Sequence, residues 1–151
     1  MRTRAAANDG LVRASSRTPC VLVIEDDQVS REMLSDLLAG EGFQVRQAAD
    51  GFEAAEAMKS EDKPDLILLD TWMPGMDGRA FLDWLRVQPK LDDVPVIVLT
   101  GCPAPVQNDR ALAVLRKPYD VGHLVEIVHV LCGSRSEVLL AVHARRIATQ
   151  N

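Results

Sequence analysis

From Cys20 onward, short runs of consecutive apolar residues alternate with stretches in which apolar residues recur every three or four positions. Unbroken apolar runs read as strands covered on both faces, and the longer period reads as helices with one buried side. The first run, Val21-Leu22-Val23-Ile24, closes on Glu25-Asp26-Asp27; Val29, Met33, Leu34, Leu37 and Leu38 then form a helical stripe that ends at Gly40 and Gly42. Residues 43–48 make a second, less apolar strand, followed by a turn at Asp50-Gly51 and a helix whose inner side is Ala54, Ala55, Ala57 and Met58.

Pro64 opens a third strand, Leu66-Ile67-Leu68-Leu69, which stops on Asp70. Pro74 and Gly75 turn the chain at once, so Asp70 is predicted at a strand tip beneath a tight loop. Gly78 precedes a third helix over residues 79–87, with Phe81, Leu82, Trp84 and Leu85 inward and Pro89 as its stop. A fourth strand covers residues 94–99 and ends at Thr100-Gly101. Pro103 and Pro105 delay the next helix, leaving it residues 106–112, scarcely two turns. Residues 113–116 form a short fifth strand ending at Lys117-Pro118, and a fifth helix over residues 120–131 buries Leu124, Ile127, Val128 and Leu131 before Gly133 breaks it. Strands and helices alternating in this way predict an α/β fold, a doubly wound five-stranded parallel sheet.

The chain has 151 residues, with 47% hydrophobic and 26% charged, ordinary values for a single soluble domain. No apolar stretch approaches membrane-spanning length, and the N-terminal stretch has no apolar core of the kind a secretion signal needs. Cys20, Cys102 and Cys132 are odd in number, with neither disulfide nor zinc spacing, which fits a reducing cytoplasm. The net charge of −5 is uneven: residues 1–18 carry +3, residues 134–151 carry +2, and the stretch between carries −10. An acidic middle argues against nucleic-acid binding by the domain. Residues 1–18, rich in Ala, Ser and Arg, read as a disordered basic tail.

In a parallel sheet the carboxyl ends of the strands form the ligand edge, with neighbouring strands about 4.8 Å apart. That edge collects Glu25 and Asp26 after the first strand, Asp70 after the third, Thr100 after the fourth and Lys117 after the fifth. Taken singly, each has an ordinary structural role as a cap, turn or surface residue. Together, three carboxylates without a partner repel one another and call for a cation. Mg²⁺ suits them, because it takes oxygen ligands and pairs one or two carboxylates with phosphate oxygens. Lys117 adds a point charge, Thr100 a small hydroxyl donor, and Asp70, already ionised, can attack phosphorus without a general base.

The segments Val23-Ile24-Glu25-Asp26-Asp27, Leu69-Asp70 through Met73-Pro74-Gly75-Met76-Asp77-Gly78, Leu99-Thr100-Gly101 and Lys117-Pro118 occur in order over residues 20–132. They resemble the receiver domain of two-component response regulators. The resemblance implies a flavodoxin-like (βα)5 fold at residues 19–133 with a shortened fourth helix. It implies that Asp70 is the phosphoacceptor, and that Glu25, Asp26, Asp70 and the backbone carbonyl of Trp72 hold Mg²⁺. Thr100 corresponds to the hydroxyl that turns toward the phosphoryl group, Lys117 to the lysine that pairs with it, and the Lys117–Pro118 bond to one that is often cis. Asp27 falls outside this set.

The implied role is a stand-alone signalling module rather than an enzyme. Its phosphoryl group would come from a histidine kinase or histidine phosphotransfer protein, and its output would pass through contacts with a protein target, without nucleic acid or membrane. Two departures bear on that output. The stretch between Thr100 and Lys117 is about five residues shorter than in similar receivers, nearly one and a half helical turns. Val114 occupies the position where such proteins carry an aromatic ring that follows the threonine. Trp72 is bulky beside the acceptor, which implies a long-lived phosphoryl group. Residues 134–151, with Val138, Leu139, Leu140, Val142 and Ile147, read as one helix, packed on its own domain or serving a partner or homodimer. Alternative readings are a receiver-like module that binds partners regardless of phosphorylation, and an aspartyl-nucleophile phosphatase, which wants a second Asp where this chain has Trp72.

Overall fold

The computed structural model describes residues 17–59, 62–71, 76–101 and 110–133. Five strands, β1 (Cys20–Ile24), β2 (Gln44–Ala48), β3 (Leu66–Asp70), β4 (Val96–Thr100) and β5 (Ala111–Arg116), form one sheet in the order β2-β1-β3-β4-β5. All four pairings are parallel. This is the flavodoxin-like order, whose topological switch lies between β1 and β3. Among the described residues the α-helices are α1 (Gln28–Gly40), α2 (Gly51–Ala57), α3 (Gly78–Arg86) and α4 (Val121–Leu131), the last being the one expected fifth in order.

The sheet separates two apolar layers. Leu22, Ile24, Ile67, Leu69, Val96 and Val98 face one layer with Ala54, Met58, Phe81, Leu82 and Leu85 from the α2 and α3 side. Val21, Val23, Leu66, Leu68, Ile97 and Leu99 face the other with Leu34 and Leu38 of α1 and Leu124, Val128 and Leu131 of α4. Alternate residues of each central strand thus enter opposite layers, which is why these strands are apolar without interruption. Each of these α-helices begins on an aspartate whose side chain accepts a backbone amide: Asp27 from Ser30, Asp50 from Glu53, Asp77 from Ala80 and Asp120 from His123. A carboxylate there satisfies an amide that the first helical turn leaves free. At the end of α1, Gly42 takes a φ of 97°, a left-handed conformation that suits glycine.

Several local expectations change. Val29 and Met33 are 65% and 67% exposed, so the buried stripe of α1 is narrower than its apolar pattern; Leu34, Ser35 and Leu38 face the sheet and the Val29–Met33 side lies opposite. Asp50-Gly51 is a helix cap followed by the first residue of α2 rather than a separate turn. Ala111 and Leu112 belong to β5 and not to a helix over residues 106–112: Ala111 pairs with Val96 and Ala113 with Ile97, leaving Leu112 as an extra residue in the ladder. Pairing along β4 satisfies backbone groups that the tail of a two-turn helix would leave free. Residues 106–109 of that expected helix, residues 1–16 and residues 134–151 lie outside the described residues.

Phe81 is fully buried against the sheet. Phe81→Ala is expected to cost about 3–5 kcal/mol, measured as a lower urea midpoint at unchanged slope.

Candidate functional site

The strand ends deliver the predicted side chains to one edge. Glu25 follows β1, Asp70 ends β3 and Thr100 ends β4, each 3% exposed. Lys117 follows β5, with a third of its side chain exposed. Glu25, Asp26 and Asp70 each offer a carboxylate oxygen within 4.8 Å of the others, Asp26 being the exposed member. Lys117 Nζ lies 3.2 Å from Glu25 Oε2 and 3.5 Å from Asp70 Oδ1. Trp72, whose carbonyl was expected to complete the set, lies outside the described residues.

Local backbone contacts hold these groups. The Glu25 amide donates to the Ala48 carbonyl at 3.1 Å, extending the β1–β2 ladder past Ile24. Arg31, one turn into α1, donates from Nη1 to the Glu25 carbonyl at 2.7 Å and from Nε to Gln47 Oε1 at 3.3 Å. Asp27 turns away from the cluster to cap α1, and the Ser30 hydroxyl and amide hold its carboxyl below the usual range. On the other side, a Cβ at Gly78 would meet the Thr71 Cα at 2.5 Å and the Asp70 carbonyl oxygen at 3.0 Å. Only glycine allows the start of α3 to pack that closely on the Asp70–Thr71 backbone. The Lys117 amide donates to the Thr100 carbonyl at 2.7 Å, and the Lys117–Pro118 bond is cis, as expected.

The electrostatics follow from this crowding. Burial pushes the Glu25 carboxyl up to about 7, helped by its hydrogen bond with Asp70 and by the Asp70 charge; the Asp27 amide and the Lys117 charge oppose this without compensating. Burial works against a charge on Lys117, but the charges of Asp70 and Glu25 and their hydrogen bonds outweigh it, and its pKa is raised. One lysine thus fails to neutralise the carboxylates, and near neutral pH Glu25 retains much of its proton. Such a set of oxygen donors fits a hard divalent cation, which would replace that proton.

A parallel doubly wound sheet with paired acids after β1, an aspartate ending β3, a hydroxyl ending β4 and a lysine after β5 defines a receiver. The sequence profile of the response regulator receiver domain matches residues 21–129, and the chain belongs to that family. The polar-differentiation response regulator DivK of Brucella anthropi is 27% identical over 118 residues, covering 75% of this chain and 95% of that protein. A protein-glutamate methylesterase/protein-glutamine glutaminase of Anaeromyxobacter dehalogenans is 41% identical over 87 residues, 58% of this chain but only 24% of that protein. The chain therefore spans about a quarter of that enzyme. The solved structure of the response regulator TrrA from Thermotoga maritima, in complex with Mg²⁺ and BeF, superposes with a TM-score of 0.67 at 28% identity, covering 76% of this chain and 99% of that one.

Sequence reasoning missed Arg31, Gly78 as a packing residue, and Thr71. Thr71 directly follows Asp70, and its hydroxyl donates to Thr100 Oγ1 at 3.2 Å. Nothing but adjacency to Asp70 marks it in the sequence. Arg31 sits on a helix where arginine is unremarkable.

Glu25 keeps its proton to about pH 7 in the fold, against 4.5 for an unperturbed glutamate carboxyl, so the folded state binds more protons between those values. Stability contributed by the protonated group is full at low pH and is lost as the pH rises through 7. Thermal unfolding in a chelator should show a lower Tm at about pH 8 than at about pH 5, with a smaller difference in Glu25→Gln. Gly78→Ala is expected to cost about 1–3 kcal/mol in chemical denaturation, because the neighbour it strikes is backbone.

Proposed function

We propose that this receiver domain takes a phosphoryl group onto Asp70 and signals through protein contacts. The observation that carries the reading is the buried Asp70 carboxylate at the tip of β3, with Glu25 and Asp26 oxygens within 4.8 Å and Lys117 Nζ 3.5 Å away. The donor is a phosphohistidine on a histidine kinase or histidine phosphotransfer protein. An Asp70 carboxylate oxygen attacks phosphorus, the phosphorus–nitrogen bond breaks, and the imidazole leaves as an acyl phosphate forms. Lys117 supplies positive charge to the phosphoryl oxygens, and the Thr100 hydroxyl supplies a hydrogen bond. Glu25, Asp26, Asp70 and the Trp72 carbonyl are the groups that would hold Mg²⁺, which offsets the charge of the incoming oxygens.

The receiver unit in this reading is residues 19–133, acting in the cytoplasm, with residues 134–151 available to a partner or to a second copy of the chain. The module is not an enzyme in its own right and uses neither nucleic acid nor membrane; among the described residues no helix is long and apolar enough to cross a membrane. Membership of the receiver family disfavours a phosphatase, which would place its nucleophile on the first strand. A phosphorylation-independent module draws on one feature: Val114 packs into the core on the α3 side, and no ring at that position can follow Thr100.

Incubation with Mg²⁺ and radiolabelled acetyl phosphate should label the wild type and leave Asp70→Asn unlabelled. Retained label in the mutant would overturn the assignment.

A further inference from the structure

Thr71 and Thr100 stand side by side because of the β3–β4 register. Asp70 pairs with Leu99, and the Thr71 amide continues the ladder to the Leu99 carbonyl at 3.3 Å. Leu99 points into the layer under α1 and α4, so the next pair, Thr71 and Thr100, projects toward the α2 and α3 side. There the Thr71 hydroxyl donates to Thr100 Oγ1 at 3.2 Å. For one hydroxyl donating to another this is long, so the bond is weak enough to be given up.

Both partners stand on held backbone. The Thr71 backbone is held on both sides, by its own amide on β4 and by the Gly78 amide donating to its carbonyl at 3.3 Å, and Gly78 packs against its Cα. The Thr100 backbone is held too, its carbonyl accepting from the Lys117 amide at 2.7 Å, so what turns is its side chain. Val114, partly buried against the α3-side core, offers that side chain no polar group. We propose that Thr71 is a positioning residue for Thr100: its hydroxyl sets the resting orientation of the Thr100 hydroxyl and is released when Thr100 turns to a phosphoryl group on Asp70. The inference rests on the reading of Asp70 as acceptor. A ligand that recruits Thr100 must first break the Thr71 contact, so that contact weakens binding by the strength of one cross-strand threonine pair, about two- to fivefold.

The test is titration of the full chain with beryllofluoride in Mg²⁺, followed by tryptophan fluorescence. Thr71→Val, which removes the hydroxyl and keeps the shape, should tighten binding about two- to fivefold, and Thr71→Ser should stay near the wild type. In a Thr100→Val background, Thr71→Val should change nothing, which separates coupling from a general effect on folding. Unchanged or weaker binding in Thr71→Val, or equal tightening without the Thr100 hydroxyl, overturns the positioning role alone. A wild type that binds no better than Asp70→Asn overturns the acceptor reading, and the positioning role falls with it.

Discussion

Two carboxylates, Glu25 and Asp70, are buried within reach of each other, with Lys117 as their cationic neighbour. Burying like charges together is costly, and it is sustained here by the surrounding fold. β1 and β3 are adjacent central strands whose apolar side chains enter both layers, so their ends cannot move apart without exposing the core. The pair therefore answers in charge rather than in geometry, by keeping a proton on Glu25. Its electrostatic deficit favours whatever positive charge the site can attract.

Supports of the site come from residues with no chemistry of their own. Arg31 fixes the Glu25 carbonyl from α1, Asp27 starts that helix instead of joining the cluster, and Gly78 lets α3 begin against the Asp70–Thr71 backbone. Each ties the acid loop or the end of β3 to a helix end. A helix end packed on the sheet is a firmer anchor than a free loop, which suits a site whose function depends on aimed oxygens.

The opposite edge of the site is built differently. Thr100 and Lys117 are joined by a short backbone bond between the β4 and β5 ends, and Thr100 meets Thr71 through a long hydroxyl contact. Val114 packs against the α3-side core and brings no ring to that edge. The extra residue at Leu112 shifts the β5 register by one and so helps decide which residues stand opposite Thr100 and beside it.

Much was legible in the sequence. Unbroken apolar runs marked the central strands, because burial on both faces leaves no polar position, and the polar residues ending those runs are the side chains that meet at one edge. Asp70, Glu25, Asp26, Thr100 and Lys117 were all reached this way. The solvent side of α1 was misread, since Val29 and Met33 fit an apolar stripe and only packing decides which side of a helix meets the sheet. The start of β5 was misread as well, because Ala111 and Leu112 suit either state and pairing with β4 settled it. The sequence by itself determined which side chains reach the ligand edge, a consequence of strand order and chain direction. Tertiary structure decided the Thr71–Thr100 contact, the Arg31 anchor and the raised Glu25 pKa, because each depends on the distance and burial of groups that periodicity cannot encode.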